Sequence, residues 1–291
     1  MRYEGPIYRP PSEADSLLIQ ATAGCPHNKC TFCMVYKQGP KYRVRPVSEV
    51  IEDMQEARRN LGDAVRTMFL PAGNSMAVPA DQLVEICQAA REIFPLLERI
   101  TVYGSSRTIL DKGEGDLRRL ARAGLSRVHV GLESGDDDVL RSIKKGTTRQ
   151  EQIEAGQMLV RAGIENSTYV MLGIGGRART RAHAQATASA ISRIRPDCVR
   201  VRTFLPKVNT PLLREIEKGE FEVVSPYEAL TELRTLVAGV ECETGLASDH
   251  YTNYVNAEGV LPRDRKRLLE MVDRALAMDE GCFRPVYVGS Q

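Results

Sequence analysis

Six times along this chain a short apolar run ends in glycine or small polar residues and gives way to a stretch with helical spacing. Such a pattern predicts parallel strands joined by right-handed helical crossovers, since each helix must return the chain to the start of the next strand. The apolar runs are residues 17–22, 65–70, 99–103, 127–132, 168–172 and 198–204. Helical stretches are predicted over 48–60, with Ser48 as N-cap, and over 81–94, where Leu83, Ile86, Cys87 and Ala90 form a stripe. Others cover 113–123, closed by Gly124, then 136–143, 148–162, closed by Gly163, and 180–194. A closed barrel of this kind needs eight such units. Six predict an α/β fold of the partial, open-sided (β/α)6 TIM-like barrel type. After residue 205 the alternation stops, and helices over 226–238 and 263–277 are predicted. The expected organisation is a core over 1–205 and a C-terminal α-rich extension over 206–291. The extension should cover the open side as part of the same structural unit. Pro6, Pro10 and Pro11 make 1–14 an irregular lead-in.

Composition narrows the class. The 291 residues suffice for one large domain, and a hydrophobic share of 42% supports a full core. No apolar run approaches the ~20 residues that span a bilayer. Forty basic against 38 acidic residues leave a net charge of +2, which offers no global field for nucleic acid. The polar, proline-bearing first 15 residues lack a signal core, so a cytoplasmic location is expected, with no membrane partner.

The chemistry concentrates just after the first apolar run. Cys25, Cys30 and Cys33 are three of the seven cysteines, and the other four lie far apart. Disulfides would leave one of the three unpaired. Cys25, Cys30 and Cys33 with His27 would make a Cys3His zinc set, although His27 lies inside the first interval instead of on a separate segment. Three thiolates on one loop can also hold a metal centre that keeps one position open, which is what catalysis uses.

With the aromatic Phe32 just before the last cysteine, this Cx4Cx2C loop resembles the cluster loop of the radical SAM superfamily. It departs by having four residues, not three, in the first interval. A second stretch carries the resemblance further. Gly131-Leu132-Glu133-Ser134-Gly135, followed by Asp138-Val139-Leu140 and Lys145-Gly146-Thr147-Thr148, looks like the segment shared by radical SAM methylthiotransferases and the Elongator-like group. The resemblance covers about residues 15–205 and implies the partial-barrel core fold.

The resemblance also implies roles. Cys25, Cys30 and Cys33 would hold a [4Fe–4S] cluster whose free iron chelates S-adenosylmethionine. Phe32, Gly73 and Asn74 would lie against the cofactor, with Gly73-Asn74 receiving its amino group. Glu133 and Ser134 would lie beside the ribose, and Arg149 and Arg161 would be candidates for the carboxylate. Gly173, Ile174 and Gly175 would present backbone groups to adenine. Their Gly-Ile-Gly-Gly turn fits a dinucleotide fingerprint poorly, because the next acidic residue, Asp197, opens a strand. Reductive cleavage would yield a 5′-deoxyadenosyl radical that abstracts hydrogen from a substrate, with an external one-electron donor of flavodoxin or ferredoxin type. Tyr103, at a strand end, and Asp249 and His250, in a polar string of the extension, are candidate catalytic residues. A small or medium-sized substrate is expected. A macromolecule such as tRNA is the alternative, and a non-catalytic zinc or iron–sulfur protein is a third reading. No second cysteine cluster accompanies the loop, which argues against members that carry auxiliary clusters, including the methylthiotransferases. No basic tail or basic, aromatic-studded strand suggests an RNA-binding module, so nucleic acid is not expected as a partner.

Overall fold

The computed structural model describes residues 1–289, so the last two positions of the expected extension lie outside it. Ten strands are present: β1 Leu17–Leu18, β2 Thr22–Ala23, β3 Arg43–Val44, β4 Thr67–Leu70, β5 Arg99–Gly104, β6 Leu125–Glu133, β7 Glu165–Leu172, β8 Cys198–Thr203, β9 Thr244–Ala247 and β10 Glu258–Leu261. The helices are α1 Val47–Leu61, α2 Ala80–Ile93, α3 Ser106–Ala123, α4 Asp137–Ser142, α5 Arg149–Ala162, α6 Gly176–Ile194, α7 Pro211–Glu217, α8 Pro226–Gly239 and α9 Arg265–Leu276. Eight strands form one sheet in the order β1-β4-β5-β6-β7-β8-β9-β10, and β2 pairs with β3 apart from it. The pairings β1–β4, β4–β5, β5–β6, β7–β8 and β8–β9 are parallel. This is the α/β architecture expected of helix-linked strands.

Several boundaries differ from the sequence reading: β6, β7 and α6 start two to four residues early, and α7 was not expected. The first apolar run divides into β1 and β2, which go to different sheets. Helix α3 starts seven residues earlier than expected, at Ser106, because Ser105 and Thr108 form a reciprocal capping box; Gly113 then kinks the helix. Helix α1 starts after Pro46, and Ser48 lies within it and makes no cap. The extension also adds two strands, β9 parallel to β8 and β10 antiparallel to β9.

The chain divides into two compact units. The first comprises residues 1–28, 35–130 and 158–166, and the second 29–34, 131–157 and 167–291. In the first, Glu13 is fully buried, and its carboxylate gathers Arg99 (3.2 Å), Arg127 (3.1 Å), His129 (3.2 Å) and Ser16 (2.7 Å). The lead-in expected to be irregular thus carries the unit's buried charge hub. In the second, Val199 and Val201 of β8 pack with Val170 of β7 against Ala188 and Ile191 of α6 and Leu233 and Val237 of α8. That face of β8 is apolar; alternation turns Arg200 and Arg202 to the other face. Among the described residues no helix is long and apolar enough to cross a membrane.

Candidate active site

The cysteine loop contributes Cys25 to the first unit and Cys30, Phe32 and Cys33 to the second. In the first unit, the carbonyl of Gly24 accepts a hydrogen bond from the amide of Gly73 (3.1 Å). A Cβ at Gly73 would stand 2.5 Å from Cys25 Cβ and 2.8 Å from Tyr36 Cε2. The turn after β4 therefore touches the backbone of the first cysteine, and only glycine permits that approach. Ala72 before it has a φ of +95°, a strained value for an L-residue. Asn74 is buried; its Nδ2 donates to Ser105 Oγ (3.0 Å) and its Oδ1 accepts from Thr108 Oγ1 (3.2 Å). Its amide is thus spent on tying the β4 turn to the cap of α3. Tyr103 meets Phe69 edge-on at 5.0 Å and lies 5.8 Å from His129. Arg161 is half-exposed and pairs with Glu114 at 3.1 Å.

In the second unit, the amide of Thr31 donates to the carbonyl of Ile143 (2.9 Å), and its own carbonyl accepts from Leu212 (3.1 Å). The loop is clamped between the end of α4 and the start of α7. Phe32 packs against the apolar group of Val139, Ile143, Ile174, Phe204 and Leu212. This aromatic is therefore an anchor for the loop between two cysteines.

Glu133 ends β6 with a φ of +61°. A non-glycine residue held there costs about 1–3 kcal/mol and persists only where its surroundings fix it. The amide of Ser134 donates to the carbonyl of Leu132 (2.8 Å) and closes a tight turn across it, and Lys145 Nζ donates to Glu133 Oε1 at 2.9 Å; the Lys145 and Glu133 side chains are 13% and 11% exposed. A Cβ at Gly131 would stand 2.3 Å from Glu133 Oε1 and 2.8 Å from Lys145 Nζ, so this glycine makes room for the pair. Burial opposes a charge on Lys145, but Glu133 and the thiols of Cys30 and Cys33 outweigh it and raise its pKa. The ammonium is held charged beside two of the three cysteines. Lys145 stands within the second motif, but nothing in its spacing marks a role: it lies in the connection between α4 and α5, twelve positions after Glu133.

Ser134, just past the strand end, is fully buried, with its Oγ 2.8 Å from His183 Nδ1, and it accepts from the amide of Asp136 (3.0 Å). Its hydroxyl is thus tied to α6 and to the turn before α4. Nearby, the amide of Gly173 donates to Glu232 Oε2 (2.6 Å) and that of Ile174 to Met171 (3.4 Å), so both donors expected to face adenine are taken up within the chain. Gly175 is the N-cap of α6. Burial raises the Glu232 carboxyl to about 8 and lowers His183 to about 4, so both are neutral at neutral pH. Arg149 opens α5; its Nη2 donates to Ser189 Oγ (2.6 Å) and its amide to Asp137 (2.7 Å). Asp249 lies 3.4 Å from Arg200, and His250 Nε2 accepts from Arg202 Nη2 (2.9 Å).

The three cysteines form no disulfide and are part-exposed. Among the described residues no three His, Cys, Asp or Glu side chains are gathered closely enough to hold a metal ion. Soft thiolate ligands suit iron–sulfur clusters. Thiols outside disulfides and a lysine charge beside two of them fit such a group. A family model for the radical SAM superfamily matches residues 19–181. That is more than half of the chain.

The chain belongs to the radical SAM superfamily.

Members of this superfamily are enzymes that use a [4Fe–4S] cluster and S-adenosylmethionine and draw on an external electron donor. Among curated relatives, a tRNA-2-methylthio-N(6)-dimethylallyladenosine synthase of Chlorobium phaeobacteroides is 28% identical over 193 residues, covering 62% of this chain and 40% of that protein. An anaerobic magnesium-protoporphyrin IX monomethyl ester cyclase of Cereibacter sphaeroides is 25% identical over 214 residues, covering 72% of this chain and 34% of that protein. The chain thus spans well under half the length of these two relatives. Methylornithine synthase shares the fold, with a TM-score of 0.56 at 17% identity, over 88% of this chain and 68% of that one. The likeness agrees with the TIM-barrel-like α/β fold expected from the strand–helix alternation.

Proposed function

We propose that this radical SAM protein abstracts a hydrogen atom from a small or medium-sized substrate in a reducing cytoplasm. The observation that carries the reading is the Glu133–Lys145 pair, held beside Cys30 and Cys33 at a strained strand end. When bound, a [4Fe–4S] cluster would supply the electron that splits S-adenosylmethionine and yields the 5′-deoxyadenosyl radical. Cys25, Cys30 and Cys33 would be its ligands. Iron would draw them together, since thiolates gather once a cation neutralises them.

The remaining residues bind and orient. Glu133 accepts hydrogen bonds from the ribose hydroxyls, the use that dinucleotide folds make of a carboxylate at a strand end. Lys145, a charged donor from the α4–α5 connection, receives the cofactor's carboxylate; Arg149 and Arg161 already have partners in Ser189 and Glu114. Gly73 keeps the β4 turn against the Cys25 backbone, where carbonyl groups meet the amino group. Tyr103 and the neutral His250 are the groups we assign to the substrate side, with Asp249 oriented by Arg200. The C-terminal extension over 206–289 would act as a cover that keeps water and adventitious carbon away from the radical.

The test is anaerobic iron–sulfur reconstitution followed by dithionite and S-adenosylmethionine. Wild type should load about four irons and release 5′-deoxyadenosine, and the triple cysteine-to-serine variant should load none. A full cluster in the triple variant would sink the ligand assignment. Strong stimulation of 5′-deoxyadenosine release by tRNA would replace the small-molecule reading with a macromolecular one.

A further inference from the structure

The extension's polar string meets a face of β8 that has too much positive charge for its own carboxylates. Alternation puts Arg200 and Arg202 on the face turned away from α6 and α8. In register on β7 are Tyr169, opposite Arg200, and Met171, opposite Arg202. Arg202 lies over the Tyr169 ring, 5.6 Å from its centroid, and Met171 packs with Phe32 in the apolar group that seats the cysteine loop. This face therefore adjoins that loop within one unit.

The 248–254 loop is pinned to the same strand. The amide of Thr203 donates to Thr252 Oγ1 (3.3 Å), and Asn253 Nδ2 donates to the carbonyl of Val201 (2.8 Å). His250 and Tyr251 are stacked at 4.4 Å on that loop, and Lys207 Nζ lies 3.4 Å from Tyr251 Oη. Arg284 closes the group by donating to the carbonyl of Thr252.

Charge does not balance here. Arg200 has Asp249, at a loose 3.4 Å. Among the described residues no carboxylate lies within salt-bridge distance of Arg202, Lys207 or Arg284, and Arg202 spends Nη2 on an uncharged imidazole. Its Nε is buried without a hydrogen-bond partner. A buried guanidinium nitrogen left unpaired is costly, and more so for a charged group. Burial first, and then the charges of Arg202, Lys207 and Arg284, press His250 down to about 4, against the opposing pull of Asp249. A planar fork with unspent donors, beside a lysine and an exposed tyrosine ring, suits a planar or tetrahedral oxyanion.

We propose that Arg202, with Arg200, Lys207 and His250, forms the site that receives a carboxylate or phosphate group of the substrate. The word substrate rests on the reading in the preceding section. The anion site rests on the unbalanced face alone. Arg202 would grip the oxyanion bidentately through Nε and an Nη, and Lys207 would add a point charge. Tyr251, 60% exposed, would cover the group to which the oxyanion is attached. The anchored end of the substrate would then be fixed on β8, beside the face that seats the cysteine loop.

The experiment uses the full, anaerobically reconstituted chain and isothermal titration at constant ionic strength. Inorganic phosphate and succinate are titrated separately, with chloride as the reference. At least one of the two should saturate, and Arg202→Gln should weaken it by about tenfold or more, the loss of a charged bidentate contact. Arg202→Lys keeps the charge without the fork and should fall between the two. It also serves as the reading if Arg202→Gln fails to load iron and keep its circular dichroism. No saturable binding of either anion, or equal binding by wild type and both variants, would overturn the site. So would tRNA binding that depends on Arg202 and that neither small anion competes away. Anion binding that behaves as stated, in a wild-type chain that releases no 5′-deoxyadenosine, would uphold the site and defeat the enzymatic reading instead.

Discussion

Lys145 shows how a single side chain can hold a site before any ligand arrives. Its ammonium meets Glu133 at 2.9 Å, and its pKa stays raised although burial alone would depress it. The ammonium holds the Glu133 carboxylate, while the bond from the Ser134 amide to the Leu132 carbonyl (2.8 Å) closes the backbone turn at a φ of +61°. Lys145→Met should therefore act twice, removing a donor for the cofactor and freeing the Glu133 carboxylate. We expect S-adenosylmethionine to bind about tenfold or more weakly, as for a lost hydrogen bond between charged groups. Iron content should hold near wild type, because the thiols remain. Equilibrium dialysis with labelled cofactor reads the first effect and iron analysis the second. Unchanged affinity would remove Lys145 from the site. Gly131→Ala is the companion test: its methyl would press on both partners of the pair, and it should weaken cofactor binding in the same direction.

At the scale of elements, the buried group between β6, β7, α6 and α8 sets how the strand ends respond to pH. Glu232 of α8 caps the Gly173 amide, and His183 of α6 holds Ser134. The Glu232 carboxyl, raised to about 8 from its ordinary 4.5 by burial, stays protonated in the folded chain where the unfolded chain has released the proton. That contribution is fully present below pH 4.5 and declines as pH rises toward 8. His183, lowered to about 4 from 6.5, acts on the other side: its contribution is present above 6.5 and lost as pH falls toward 4. Glu232→Gln should flatten the alkaline decline, so that urea midpoints at pH 6 and pH 8.5 differ less than in wild type. Midpoints that fall equally in both proteins would mean that this carboxyl is not protonated in the fold. None of this network was legible in the sequence. Glu232 and His183 lie 49 or more positions from the residues they hold, and each sits in a helix that periodicity alone describes. What was legible was local: residues 127–132 read as a strand and 148–162 as a helix, within a residue or two of β6 and α5, because their patterning agrees with their burial. Helix α3 was misplaced because its start depends on a cap, Ser105 with Thr108, and Gly113 looked like a boundary. Strands β9 and β10 were missed because four residues each carry too little alternation to register. The cysteine loop and the Glu133 motif were visible because chemistry there demands particular residue types at short spacing. The Ser134–His183 bond was not visible there, because His183 lies 49 positions away on α6.

For the whole molecule, the lead-in decides stability in acid. Glu13 is fully buried among Arg99, Arg127 and His129, although Pro10 and Pro11 made the segment look like an irregular leader. Burial by itself would raise its pKa; the hydrogen bonds from His129 and Ser16 and the charge of Arg99 prevail and lower it to about 2, from 4.5. A depressed carboxylate contributes stability that is present above pH 4.5 and lost as pH falls toward 2. Glu13→Gln should remove that contribution and leave Arg99 without its carboxylate, while Arg127 keeps Glu165 at 2.8 Å. The loss expected is about 3–5 kcal/mol, as for one partner removed from a buried charge group. Because Glu13, its partners and strands β4 and β5 all belong to the first unit, the damage should be local at first. Hydrogen exchange should quicken in β5 and in the first residues of β6, while the amides of α6 and α8 in the second unit keep their protection. Acid-unfolding curves should shift to higher pH in the variant and lose part of their steepness. Equal exchange in β5 for both proteins would show that the hub does not hold the unit. Loss of protection in α8 together with β5 would show instead that the two units unfold as one.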